Sequence, residues 1–259
     1  MGYALITGAS KGIGKAIAEN LAARKIDVLL VARTEGLLKE LAIQLTTDYN
    51  IKAQYLSVDL SASNASQKIF NWVISNNYPV NILVNNAGYG LSGSFEKYTF
   101  QQHLDMMQVN MTVPVQLTHL FLPQLKQQST AFILNIASAA AYQAVPGLSL
   151  YAASKSFIVS FSRGLKYELK NTSVSVTAVC PGATDTDFPT RAEVTSQKAK
   201  QLAAKFNMQP TDVAAQAVEA MFSKKAEVVT GFVNKLGLFL TWLLPKKLLE
   251  KGAADIYGI

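Results

Sequence analysis

Thr7-Gly8-Ala9-Ser10-Lys11-Gly12-Ile13-Gly14 is the stretch that decides the fold. Its glycines are spaced G-x-x-x-G-x-G. Before it, Tyr3 to Thr7 reads as a short buried strand. After it, Ile13, Ala16, Ile17 and Leu21 recur at helical spacing over Gly12 to Arg24. Glycine at a strand-to-helix turn permits a tight reversal and lets backbone approach a pyrophosphate with no Cβ in the way. The helix start beyond it offers unpaired N–H groups and the positive end of a dipole. In this strand–turn–helix context the turn is expected to hold a dinucleotide through Gly8, Ser10, Lys11, Gly12, Ile13 and Gly14.

The same rhythm continues outward. Apolar runs at Asp27 to Ala32, Lys52 to Val58, Val80 to Val84, Ala131 to Ile136, Ser173 to Cys180 and Glu227 to Val229 read as strands. Helical patterns fill Thr34 to Asp48, a stretch capped by Ser61 and ending near Asn76, and Glu96 to Gln127 with an interruption at Pro114. Further helices are expected over Tyr151 to Lys170, Arg191 to Lys205 and Thr211 to Ser223. Strands this apolar are buried on both faces, which implies a parallel sheet covered by helices on each side. No linker divides the chain. The expected fold class is α/β, a single doubly wound Rossmann domain over residues 1–259, with about seven parallel strands and helices on both faces.

Composition agrees. The chain has 259 residues, 49% apolar and 16% charged, which excludes a disordered polymer. One cysteine, Cys180, cannot form an internal disulfide, so a reducing, cytoplasmic compartment is expected. The N-terminus shows no basic, apolar or cleavage-site pattern of a leader, and no apolar run is long enough to span a bilayer. His103 and His119 lie on expected helices with no cysteine cluster, so no metal is expected. Cys180 reads as a core thiol. The net charge of +7 is dispersed without an aromatic-interleaved basic stripe, so nucleic acid is not expected as a partner.

Arg33 follows the second strand. A carboxylate there suits the ribose of NAD, and an arginine suits the 2′-phosphate of NADP. Arg33, helped by Lys11, therefore points to NADP, with Glu35 two residues on as the contrary sign.

Tyr151 and Lys155 share one face of a helix. An ammonium beside a phenol favours the phenolate and is expected to lower its pKa. Ser138 follows the fifth strand, where strand ends line the ligand crevice of an open α/β sheet. Its hydroxyl can hydrogen-bond a substrate carbonyl.

These motifs together resemble the short-chain dehydrogenase/reductase family, in its compact single-domain branch, over nearly the whole chain. Thr7 to Gly14 matches its cofactor turn and Asp59-Leu60 its adenine contact. Asn85-Asn86-Ala87-Gly88 matches its sheet-stabilising motif after the fourth strand. Asn110, Ser138, Tyr151 and Lys155 match its catalytic tetrad, and Pro181-Gly182-Ala183-Thr184-Asp185-Thr186 its nicotinamide loop. The resemblance implies an NADP-dependent oxidoreductase acting on a carbonyl or secondary alcohol, similar to ketone and 3-oxoacyl reductases. Tyr151 is then the general acid and Ser138 orients the carbonyl. Lys155 binds the nicotinamide ribose, and Asn110 holds a water that links Lys155 to solvent. It also implies a homodimer or homotetramer. A dinucleotide sensor without turnover is the other reading, and the intact tetrad speaks against it.

Residues 181–207 are expected to form a substrate lid. Tyr89, Leu91, Tyr142, Val145 and Leu148 are expected near the pocket, and their character favours an apolar substrate. The stretch 232–247 is strongly apolar with basic flanks, and from Lys224 to Ile259 there are six lysines and three acids. It closes the pocket, joins subunits or makes a peripheral membrane contact; the sequence leaves these open, so membrane association stays an alternative to a purely cytoplasmic location.

Overall fold

A computed structural model describes residues 2–259; Met1, the first residue of the expected domain and leader-free terminus, lies outside the described residues. Seven strands form one parallel sheet. They are β1 (Tyr3–Thr7), β2 (Val28–Ala32), β3 (Ala53–Ser57), β4 (Val80–Asn85), β5 (Ala131–Ile136), β6 (Val174–Cys180) and β7 (Glu227–Val229), in the order β3-β2-β1-β4-β5-β6-β7. The order reverses between β1 and β4, and the chain departs in opposite directions on either side, so a crevice opens at the carboxyl ends of these two strands.

The central strands β1, β2, β4, β5 and β6 are buried throughout, as their unbroken apolar runs demand. The expectation that every strand is buried on both faces fails at the edges. β3 carries Gln54 and Ser57 into solvent, and β7 is only partly covered. An edge strand has a neighbour on one side only, so its polar residues stay hydrated.

One face of the sheet is covered by α1 (Gly12–Ala23), α2 (Glu35–Tyr49) and α9 (Pro210–Phe222), with Ile17, Leu21, Leu38, Leu45, Val218 and Met221 in the core. The other is covered by α3 (Ala65–Ser75), α5 (Val113–Lys126) and α6 (Ser149–Glu168), with Ile69, Leu117, Phe121 and Leu169 beneath them. Ser61 does not cap α3. Its N–H and hydroxyl both bind Asp59 Oδ1, at 3.0 and 2.9 Å, closing a turn, and α3 starts four residues later, at Ala65, behind Asn64.

The long helix expected over Glu96 to Gln127 is broken, though not by Pro114. A short 3₁₀ turn, then α4 (Phe100–Met107), leads into a π-helical segment over Gln108–Thr112, and Pro114 sits harmlessly in the first turn of α5. A π segment inserts one extra residue per turn and re-aims the side chains on it; here it carries the buried Asn110. The expected Arg191–Lys205 helix is likewise two pieces, α7 (Phe188–Arg191) and α8 (Gln197–Phe206). The chain ends in α10 (Phe232–Leu243) and α11 (Lys246–Tyr257).

Candidate active site

A cleft of about 1260 Å³ runs along the carboxyl ends of β1, β2, β4, β5 and β6. At its floor, Thr7 ties β1 to β4. Its hydroxyl donates to Val84 O (3.2 Å) and accepts from the N–H groups of Asn86 and Ala87 (3.0 and 3.2 Å). Asn86 Nδ2 returns two bonds, to Thr7 O (2.9 Å) and Gly8 O (3.1 Å). A second buried chain crosses from Asn85 Nδ2 to Asn135 Oδ1 and from Asn135 Nδ2 to Ser162 Oγ, both 2.8 Å. Asn135 was not legible as part of this brace, because an amide inside an apolar strand run carries no motif.

Gly8 and Gly12 adopt left-handed backbone, at φ +65° and +56°. Gly14 faces backward. A Cβ there would lie 2.3 Å from Gly8 O and 2.4 Å from Asn86 Nδ2, so only glycine lets α1 pack onto the turn. The start of α1 has no side-chain cap and no acid in its first turn, so its N–H groups remain free to meet an anion.

Lys11 lines the same cleft as Arg33. Its Nζ pairs with Asp187 Oδ2 at 2.8 Å, linking the glycine turn to the start of the 188–206 helices. Both side chains are more than half exposed, so the link is weak. Arg33 takes part in no ion pair among the described residues. A second guanidinium, Arg191, lines the same cleft, 5.5 Å from the Tyr89 ring centroid. Burial and the field of Arg33 hold its pKa below the usual value. Asp59 is kept well ionised, chiefly by the Ser61 N–H, with Arg33 and Arg191 adding to it. Free helix N–H groups and two arginines suit the phosphates of a dinucleotide, and an ionised carboxylate can accept from its sugar or base groups.

Ser138 and Tyr151 stand at the deep end. Ser138 follows β5 and its Oγ accepts from Ala140 N at 3.1 Å. Tyr151 is 9% exposed and Lys155 4%, on adjacent turns of α6. Lys155 Nζ donates to Ile136 O at 2.9 Å and lies 5.8 Å from the Tyr151 ring centroid. Burial holds Lys155 down to about 8. The expected lowering of the Tyr151 pKa is overturned: burial pushes the phenol up to about 12, with the nearby Ser138 hydroxyl acting downward.

Asn110 is behind the cleft wall. It accepts from Tyr89 N (3.1 Å) and donates to Tyr89 O (2.9 Å) and Ser154 Oγ (3.0 Å), bracing the loop after β4 against α6. A Cβ on Gly88 would fall 3.0 Å from Lys155 Nζ and 3.2 Å from Asn110 Oδ1, so both groups converge on that glycine. Gly14 and Asn110 apart, the expected site residues all line the cleft: Gly8, Ser10, Lys11, Gly12, Ile13, Arg33, Asp59, Leu60, Asn86, Ala87, Gly88, Ser138, Tyr151, Lys155, Pro181, Gly182, Thr184 and Thr186.

Of the expected apolar residues, Tyr89, Val145 and Leu148 line the cleft, whereas Leu91 packs beneath it. Tyr142 turns away: its hydroxyl donates to Glu227 Oε1 at 2.5 Å and lies 3.2 Å from the buried Cys180 Sγ. Phe188, from the expected lid stretch, has its ring tilted against Tyr151 with centroids 5.1 Å apart, and a residue that sequence reasoning missed is Tyr257, packed in the same cluster from the far end of the chain. Nothing in the sequence near Tyr257 marks it, since its neighbour Tyr151 is over a hundred residues away.

The profile of the short chain dehydrogenase family matches residues 2–197, and the chain belongs to that family. An uncharacterized oxidoreductase of Staphylococcus epidermidis is 34% identical over 200 residues, covering 75% of this chain and 85% of that one. Very-long-chain 3-oxoacyl-CoA reductase-A of Danio rerio is 34% identical over 187 residues, covering 69% of this chain but only 57% of its own length. Among solved structures, a short-chain dehydrogenase from Sphingobium yanoikuyae in complex with NADPH superposes with a TM-score of 0.82 at 29% identity, covering 90% of this chain and 88% of that one.

Proposed function

We propose that this chain reduces a hydrophobic ketone or 3-oxoacyl compound, using NADPH. The observation that carries the reading is the meeting of Ser138, Tyr151 and Lys155 at the deep end of the cleft that the glycine turn opens. When bound, the reduced nicotinamide supplies the hydride. Tyr151, with its pKa raised to about 12, holds its proton at neutral pH and is armed to give it to the carbonyl oxygen. Ser138, which lines the same end of the cleft as Tyr151, orients that oxygen. Lys155, anchored on Ile136 O, would hold the nicotinamide ribose, and Asn110 braces the loop after β4 against α6 beside it.

Val145, Leu148 and Phe188 around Tyr151 make the substrate end apolar, and the resemblance to a 3-oxoacyl-CoA reductase points the same way. Arg33 supports NADP over NAD, with Arg191 as a second cation for the 2′-phosphate. A dinucleotide sensor would have no use for a buried Tyr–Lys pair beside the Ser138 hydroxyl.

Initial rates with NADPH and NADH on apolar ketones and 3-oxoacyl thioesters test this. NADPH-dependent turnover is expected, with Tyr151→Phe lowering kcat by about 10²–10⁴-fold while dinucleotide affinity is kept. Full activity in Tyr151→Phe overturns the mechanism. Arg33→Ala should weaken NADPH and spare NADH; a wild type that prefers NADH overturns the cofactor assignment.

A further inference from the structure

Helices α10 and α11 lie beyond the stretch matched by the family profile. The inner face of α10 lines the cleft through Asn234, Gly237, Leu238 and Thr241. Its outer face carries Phe232, Leu236, Phe239 and Leu243, spaced as a single stripe and 79%, 51%, 56% and 61% exposed. Trp242, 80% exposed, extends the stripe. No residue of α10 is fully buried. A helix that exposes its apolar side to water along its whole length is unpartnered on that side.

We propose that this outer face docks on an anionic lipid bilayer, lying in the plane of the interface. The charges flanking the stripe carry the choice of occupant. Lys235, Lys246, Lys247 and Lys251 are exposed and take part in none of the ion pairs among the described residues. In a twofold dimer through this face the same patch meets itself, so these ammonium groups would be brought together across the axis, with only Glu250 and Asp255 nearby in sequence to offset them. Anionic headgroups pair with them instead, while phenylalanine and tryptophan suit the headgroup–acyl boundary. At 12 residues, α10 is about 18 Å long, too short to cross a hydrocarbon core, and no helix among the described residues is long and apolar enough to do so. It lies on the bilayer.

The cleft opens in the same face. Val233, Leu240, Leu244 and Leu248 line the cleft and are also 52%, 41%, 40% and 60% exposed. They form an apolar rim that continues into the stripe. Docking therefore sets the mouth of the cleft against the acyl region, and a lipid-soluble carbonyl compound passes to Tyr151 without crossing water. That passage rests on the proposed reductase reading; docking does not.

Vesicle flotation of the full chain separates the two. Vesicles of phosphatidylcholine alone are compared with vesicles of phosphatidylcholine and phosphatidylglycerol. The chain should float with the anionic vesicles and be released by salt. Leu236→Asp with Phe239→Asp should lower the floating fraction by about tenfold or more. These two side chains point away from the cleft, so reduction of a small water-soluble ketone should be unchanged in that variant. Lys235→Glu with Lys247→Glu should lower binding to anionic vesicles. Failure of the wild type to float with either vesicle overturns docking, whatever the enzyme assay shows. So does a wild-type dimer that stays with the bottom fraction and that Leu236→Asp with Phe239→Asp converts to monomer.

Discussion

Tyr151 and Lys155 show how burial sets opposite directions on two groups of one helix. Burial disfavours charge, so the phenol keeps its proton and the ammonium tends to lose it. For Lys155 the folded chain releases its proton near 8, where the unfolded chain holds it to about 10.5. Stability therefore rises with pH across that window, and below pH 8 the full penalty of burying the cation is present, about 3 kcal/mol. Lys155→Met removes that penalty and loses the bond to Ile136 O, worth about 1 kcal/mol. The variant should melt at a higher temperature than wild type at pH 7, with the gap closing as pH approaches 10, while ketone reduction falls by about a hundredfold or more. Thermal melts between pH 7 and 10 check the sign. Above pH 10 Tyr151 contributes in the opposite sense, since its raised pKa makes the folded state lose stability between pH 10 and 12.

At the scale of elements, α1 is positioned by contact as well as by charge. Its apolar stripe packs Ile17 and Leu21 on the sheet, and Gly14 brings its first turn against Gly8 and Asn86. Gly14→Ala forces a methyl into backbone at 2.3 Å. It should cost about 1–3 kcal/mol and weaken dinucleotide binding, seen together in melts with and without NADPH. Unchanged melting would mean that α1 shifts freely and that the turn is not packed as described. The strands and the helices α1, α2, α6 and α9 were legible to within a residue or two because their apolar periods are long and clean. The π segment was not. Pro114 looked like the break, yet proline is welcome in a first helical turn, and the extra residue that turns Asn110 inward leaves no mark on the apolar period.

At the scale of the molecule, the two large core clusters on the sheet faces draw on no residue after Val228, whereas the small clusters around Tyr151 and Cys180 take in Leu238, Ala253 and Tyr257. The Rossmann sheet is therefore self-sufficient, and the last two helices build the substrate end. A chain ending at residue 231 should keep its sheet signal and cooperative unfolding, bind NADPH, and show a KM for apolar ketones raised by about tenfold or more, since it loses the apolar wall opposite Tyr151. Loss of cooperative unfolding would show that α10 and α11 belong to the folding core.

The amino-acid sequence by itself determined the parallel sheet, the glycine turn and the family, because each is written in local period, in glycine spacing or in motifs of a few residues. It also placed Ser138, Tyr151 and Lys155, whose types and spacing are local. Only the tertiary structure decided which charges meet. Lys11 went to Asp187, Arg191 joined Arg33, and Tyr151 rose where a falling pKa was expected. Only it separated the two faces of α10, one lining the cleft and one bare. Pairing, burial and the sidedness of a uniformly apolar helix depend on what arrives from elsewhere in the chain, and a one-dimensional pattern does not contain that information.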